Sequence, residues 1–121
     1  MSLAIVFAVG LVGGAGAIGR FLLDSAVAGR LRHAFPFGTL VVNVAGAFVL
    51  GAIVGATLDQ NDYRVIGTGL IGAFTTFSTW ALESHRLAED GQLRLGAANV
   101  VVSLAAGLLA AWAGRQLGAW L

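Results

Sequence analysis

The side chains best suited to chemistry gather in one stretch, Gly67-Thr68-Gly69-Leu70-Ile71-Gly72-Ala73-Phe74-Thr75-Thr76-Phe77-Ser78-Thr79-Trp80. Three glycines precede four hydroxyl residues and three aromatic rings packed into seven positions. Glycine, serine and β-branched threonine are all weak helix formers. Either the stretch is a continuous helix whose hydroxyls bond back to i−4 carbonyls, or it is a helix broken near its middle. A break frees carbonyls and amides that then need another helix, water or a bound ion as partner. Asn43 stands alone among apolar neighbours in Gly38-Thr39-Leu40-Val41-Val42-Asn43-Val44-Ala45-Gly46. Its amide can bridge two helices or offer an N–H to a pathway. Asn99 and Ser103 share a helix face at i, i+4. Arg20 and Asp24, one turn apart, can pair with each other or leave Arg20 at an aqueous vestibule, where it draws anions. Hydroxyl and amide donors suit an anion, as do phenyl edges, the positive side of the ring quadrupole. No carboxylate lies in the middle of these apolar stretches, where a proton-coupled or cation exporter needs one. Residue chemistry therefore points to a pathway for a small anion or polar solute, lined from Asn43, Phe74, Phe77, Ser78, Thr79, Trp80 and Ser103.

Other chemistries are excluded. Gly14-Ala15-Gly16-Ala17-Ile18-Gly19 spells G-x-G-x-x-G, but a dinucleotide site needs that motif between a strand and a helix, with an acid about 20 residues on. Here it lies inside an apolar helix, and no acid occurs between Asp24 and Asp59. No nucleotide is expected. His33 and His85 fall in expected connectors without a nucleophile or ligand cluster, and Glu83 and His85, two apart, point to different faces. With no cysteine there is no disulfide, thiolate metal site or thiol nucleophile. A net charge of +1 excludes a nucleic-acid surface. No enzymatic activity is expected.

The elements that must position these residues follow from composition. Of 121 residues 58% are hydrophobic, 11% charged and 18 are glycine, far more apolar surface than a soluble domain of this size can bury. All charged residues fall outside four windows, 1–19, 38–58, 65–82 and 95–114, each of about the length a membrane-spanning helix needs. The spacing predicts helices over 2–28, 38–58, 64–86 and 93–119 in one four-helix membrane domain, residues 1–121. Met1-Ser2-Leu3 lacks the basic start of a signal peptide, so the first span is expected to remain. Arg30, Arg32, Arg86 and Arg94 lie on one side and Arg64 and Arg115 on the other, a small bias that places the termini outside or allows insertion both ways. Gly10-x-x-x-Gly14, Gly51-x-x-x-Gly55 and Gly114-x-x-x-Gly118 are expected to be helix-packing grooves. Four short helices do not easily enclose a polar route, so a dimer is expected.

Three segments together resemble the small fluoride channel family called Fluc or CrcB: Gly13-Gly14-Ala15-Gly16-Ala17-Ile18-Gly19-Arg20-Phe21, Gly38-Thr39-Leu40-Val41-Val42-Asn43 with Gly46, and Gly69 through Thr79. The resemblance implies an all-α integral membrane fold with a broken third helix. It also implies an antiparallel, dual-topology homodimer in the bacterial inner membrane, with two fluoride pores and a structural Na+ at its centre. Carbonyls of Gly72 and Thr75 are then the sodium ligands. Phe77 takes the place of one box phenylalanine, Asn43 of the pore asparagine, Ser78 and Thr79 of the polar track, and Arg20 of the vestibule arginine. Trp80 departs from the family, which has a second phenylalanine there; its indole brings a larger ring and an N–H. The alternative, a small multidrug-type exporter, needs a glutamate in the first span, and residues 1–19 contain none. A non-transporting accessory subunit is the third class considered.

Overall fold

The computed structural model describes residues 1–121, and its regular structure is entirely helical. Helix α1 spans Leu3–Arg30 and opens on Ser2, whose hydroxyl accepts from the Ile5 N–H. After a turn ending in Pro36, α2 spans Phe37–Gly55. It stops short of position 58 because Thr57 turns into left-handed backbone at φ 52°. The third crossing, Gln60–Glu89, is built in pieces. A short α3 (Gln60–Asp62) leads into a π-helical segment, Tyr63–Ile71, and then α4 (Gly72–Phe74) and α5 (Phe77–Glu89). Helix α6 spans Leu93–Ala119, as the spacing predicts. Helix α5 runs past position 86, so His85 is helical and not in a connector, and it pairs with Glu89 one turn on.

Four of these crossings are long and apolar enough to span a bilayer. Only 17 of 121 residues are buried, so side chains such as Phe7, Phe21, Leu108 and Trp112 face outward, toward lipid or another chain.

Glycines set the helix contacts. A Cβ on Gly51 would strike the Ala111 carbonyl, and one on Gly55 the Arg115 carbonyl. Reciprocally, Gly114 faces the Phe48 carbonyl and Gly118 the Ala52 carbonyl. Two of the expected grooves therefore interlock, α2 against a parallel α6. The third does not: nothing approaches Gly10 or Gly14 within 4 Å. On α1 the close approach comes instead at Gly16, where a Cβ would meet the Leu70 carbonyl of the π-helical segment. The bulge of that segment toward α1 selects the face carrying Gly13 and Gly16.

Candidate functional site

The third crossing breaks at Thr75 and Thr76, whose backbones are extended at φ −82°, ψ 160° and φ −145°, ψ 121°. The Thr75 N–H keeps the ordinary i−4 bond to the Ile71 carbonyl at 3.0 Å, and the Thr75 hydroxyl donates to the same oxygen at 3.0 Å; the displaced bonds follow it. The Thr76 N–H donates to Asn43 Oδ1 at 2.8 Å, and Asn43 Nδ2 donates to the Thr76 carbonyl at 2.8 Å. One side-chain amide thus satisfies both backbone groups of Thr76. Thr76 also caps α5, its hydroxyl accepting from the Thr79 N–H at 3.1 Å.

These exchanges redirect two N–H groups away from their helical acceptors. In a continuous helix Gly72 O would receive the Thr76 N–H, which now goes to Asn43. Thr75 O would receive the Thr79 N–H, which now goes to the Thr76 hydroxyl. No cluster of three or more His, Asp or Glu is present to hold a metal by side chains.

Two spaces border the break, and a third lies toward the α1–α2 turn. A groove of about 660 Å³ is lined by Asn43, Gly72, Thr75, Thr76, Phe77, Trp80 and Ser103, among others. Thr76 also borders a small void of about 10 Å³ lined by Arg20, Asp24, Thr39, Val42 and Thr79. Asp24 in turn borders a third cavity of about 340 Å³ under the α1–α2 turn, with Arg32, His33, Glu83, Arg86 and Asp90. Thr76 lines both the groove and the small void, and Asp24 lines both that void and the third cavity.

The expected site residues divide among these spaces. Asn43 bridges helices and also lines the groove, with one Nδ2 hydrogen left over after the bond to Thr76. Phe77 is 75% exposed beside the groove, and its ring meets that of Trp80 edge-on at 5.2 Å. Thr79 lines the small void, not the groove. Ser78 is exposed and lines none of the three spaces, its hydroxyl 3.5 Å from that of Thr76. Phe74 lies outside the groove lining, packed against Gly19 and Gly46 between α1 and α2. The pairing of Arg20 with Asp24 does not form; both face the small void, where Arg20 Nε is buried without a partner. The Trp80 N–H is not free to meet an ion either, because Nε1 donates to the Asn99 carbonyl at 3.1 Å.

The residue pattern did not single out the Glu83–Thr39 contact, in which the Thr39 hydroxyl donates to the Glu83 carboxylate at 2.5 Å. Its signal is the spacing Thr76, Thr79, Glu83, which puts one polar face on the first two turns of α5.

The sequence has known relatives. Residues 7–115 match the family described as CrcB-like protein, Camphor Resistance (CrcB). The chain is 48% identical to fluoride-specific ion channel FluC 2 of Mycobacterium tuberculosis, over 100% of this chain and 93% of that protein. It is 41% identical to fluoride-specific ion channel FluC 1 of Symbiobacterium thermophilum, over 91% of this chain and 94% of that protein. Against fluoride-specific ion channel FluC of Geobacter sulfurreducens the identity is 40%, over 93% of this chain and 98% of that protein. A family match across nearly the whole chain, on top of four apolar crossings with a broken third, leads to one conclusion: this multi-pass membrane protein belongs to the CrcB-like family.

Proposed function

We propose that the chain is a fluoride-selective channel of the bacterial inner membrane that lets cytoplasmic fluoride leave passively down its gradient. The single observation that carries this reading is the break itself, where Asn43 clamps the Thr76 backbone and Thr76 lines both the groove and the small void bordered by Thr79 and Arg20. The fluoride-specific relatives support the choice of halide. Fluoride is small and strongly hydrated, so a pore must replace its water with closely placed donors and ring edges. The amide of Asn43 and the threonine hydroxyls do this without the strong hold of a cation, and chloride, being larger, is expected to be excluded by a narrow, rigidly packed track.

The working unit is an antiparallel dimer of identical copies in opposite orientations, with two pores. The groove is open on one side of the chain, and the exposed Phe77 ring beside it needs a cover. A second copy supplies it and completes each pore wall. The Gly72 and Thr75 carbonyls of both copies would hold a structural Na+ on the two-fold axis. The ion would offset four carbonyl dipoles that have lost their helical donors.

The experiment is fluoride efflux from liposomes carrying the purified protein. Rapid fluoride efflux with chloride retained is expected. Chloride efflux at a similar rate, or no fluoride efflux, would overturn the proposal.

A further inference from the structure

Asn99 is the one polar side chain with no exposed surface at all, and the channel reading gives it no task. It lies on α6, facing α5, where Gly96 lets the two helices touch: a Cβ there would sit 2.9 Å from the Ser84 carbonyl oxygen. Its Nδ2 donates to Ser84 Oγ at 2.8 Å and lies 3.5 Å from the Trp80 carbonyl. Ser84 Oγ passes a hydrogen on to the same Trp80 carbonyl at 2.9 Å. Ser103 Oγ, which borders the groove, donates to Asn99 Oδ1 at 3.2 Å. The loop closes through the ring, because Trp80 Nε1 donates to the backbone carbonyl of Asn99. Trp80 is therefore held by α6 at two points, its main chain and the far edge of its indole.

We infer that Asn99 is a positioning residue whose amide sets α5 against α6 so that the Trp80 indole is clamped flat to the groove wall, and that Trp80 and Asn99 work as a coupled pair. This rests on the reading of the groove as a fluoride pathway. An indole is larger than a phenyl ring and carries a polar edge. Free to turn, it would narrow the groove beside Phe77 and present its N–H as a sticky donor to a passing anion. Clamped, its donor is spent on α6 and only the ring faces the groove, edge-on to Phe77. A buried network of this kind acts as a unit, so its members should show strong non-additivity.

The test is a double-mutant cycle in liposome fluoride flux, joined to a spectroscopic readout that needs no flux. Asn99→Leu removes the amide at similar volume and should lower flux by about tenfold, within the coupling seen among contacting network residues. Trp80→Phe has no N–H to place, so adding Asn99→Leu to it should change flux by less than about twofold. In a Trp112→Phe, Trp120→Phe background, Trp80 is the only indole, and Asn99→Leu should alter its emission maximum and increase its quenching by a soluble quencher. Should Asn99→Leu not fold, Ser84→Ala takes its place with the same expected signs. Equal fold-losses in both backgrounds, or unaltered flux together with unaltered Trp80 emission, would overturn the pairing. If the native protein carries no fluoride, the channel reading falls; the emission and quenching change still decides whether Asn99 holds the ring.

Discussion

Replacing Asn43 with alanine would remove both 2.8 Å bonds that hold the Thr76 backbone at the break. Side-chain hydrogen bonds between membrane helices contribute about 0.6 kcal/mol on average and at most about 1.7. A buried backbone group left unsatisfied costs about 1–3 kcal/mol. Two groups are orphaned at once, but Thr76 borders the groove, so water can reach part of the deficit. The expected loss is therefore about 1–3 kcal/mol, the lower half of that range doubled and partly repaid by solvent. Asn43→Asp separates the two bonds. An ionised carboxylate still accepts from the Thr76 N–H, yet it sets a second acceptor against the Thr76 carbonyl, so it should also destabilise. Reversible unfolding of the purified protein in mixed micelles measures both variants against the native chain, and fluoride flux should fall with stability. An Asn43→Ala protein within about 0.3 kcal/mol of native, the usual error of additivity, would show that the break stands without its clamp and refute the reasoning.

Phe77→Ile should abolish fluoride efflux while the protein still folds and dimerises, checked by liposome flux beside size-exclusion chromatography; flux retained at native level would remove Phe77 from the pathway. Gly114→Ala should destabilise by about 1–3 kcal/mol or more through overpacking against the Phe48 carbonyl, whereas Gly10→Ala, with open space around it, should be neutral or stabilising by up to about 1 kcal/mol in the single chain. Unfolding midpoints of the two variants check the contrast. Exchanging sodium for a bulky organic cation should lower the unfolding midpoint, by an amount equivalent to about 2.7 kcal/mol if sodium is present at a hundred times its dissociation constant; an unchanged midpoint would speak against the Gly72 and Thr75 carbonyls as its ligands.

The crossings were legible because charge is expelled from apolar spans, and that pattern needs no knowledge of packing. Helix α6 falls where the sequence places it for this reason. The break was legible too, since Thr75 and Thr76 disfavour helix and Asn43 stands ready on a neighbouring span. The π-helical winding of Tyr63–Ile71 was not, because nothing in a run of mixed glycine and branched residues distinguishes i−4 from i−5 bonding. The same blindness explains Gly10 and Gly14: a four-residue spacing marks a groove without saying which face has a partner. Trp80 shows a further limit. Its N–H looks like a pathway donor until the acceptor on α6 is seen, and backbone acceptors carry no mark in a sequence.

The glycine contacts make two stiff bars among the crossings, α2 with α6 and α1 with the π-helical segment. Within either bar, sliding would drive main-chain oxygens into α-carbons, so each keeps its register. The reciprocal amide link at Asn43 adds a further tie, fixing α2 to both backbone groups of Thr76, so the break cannot shift along the membrane without carrying α2 with it.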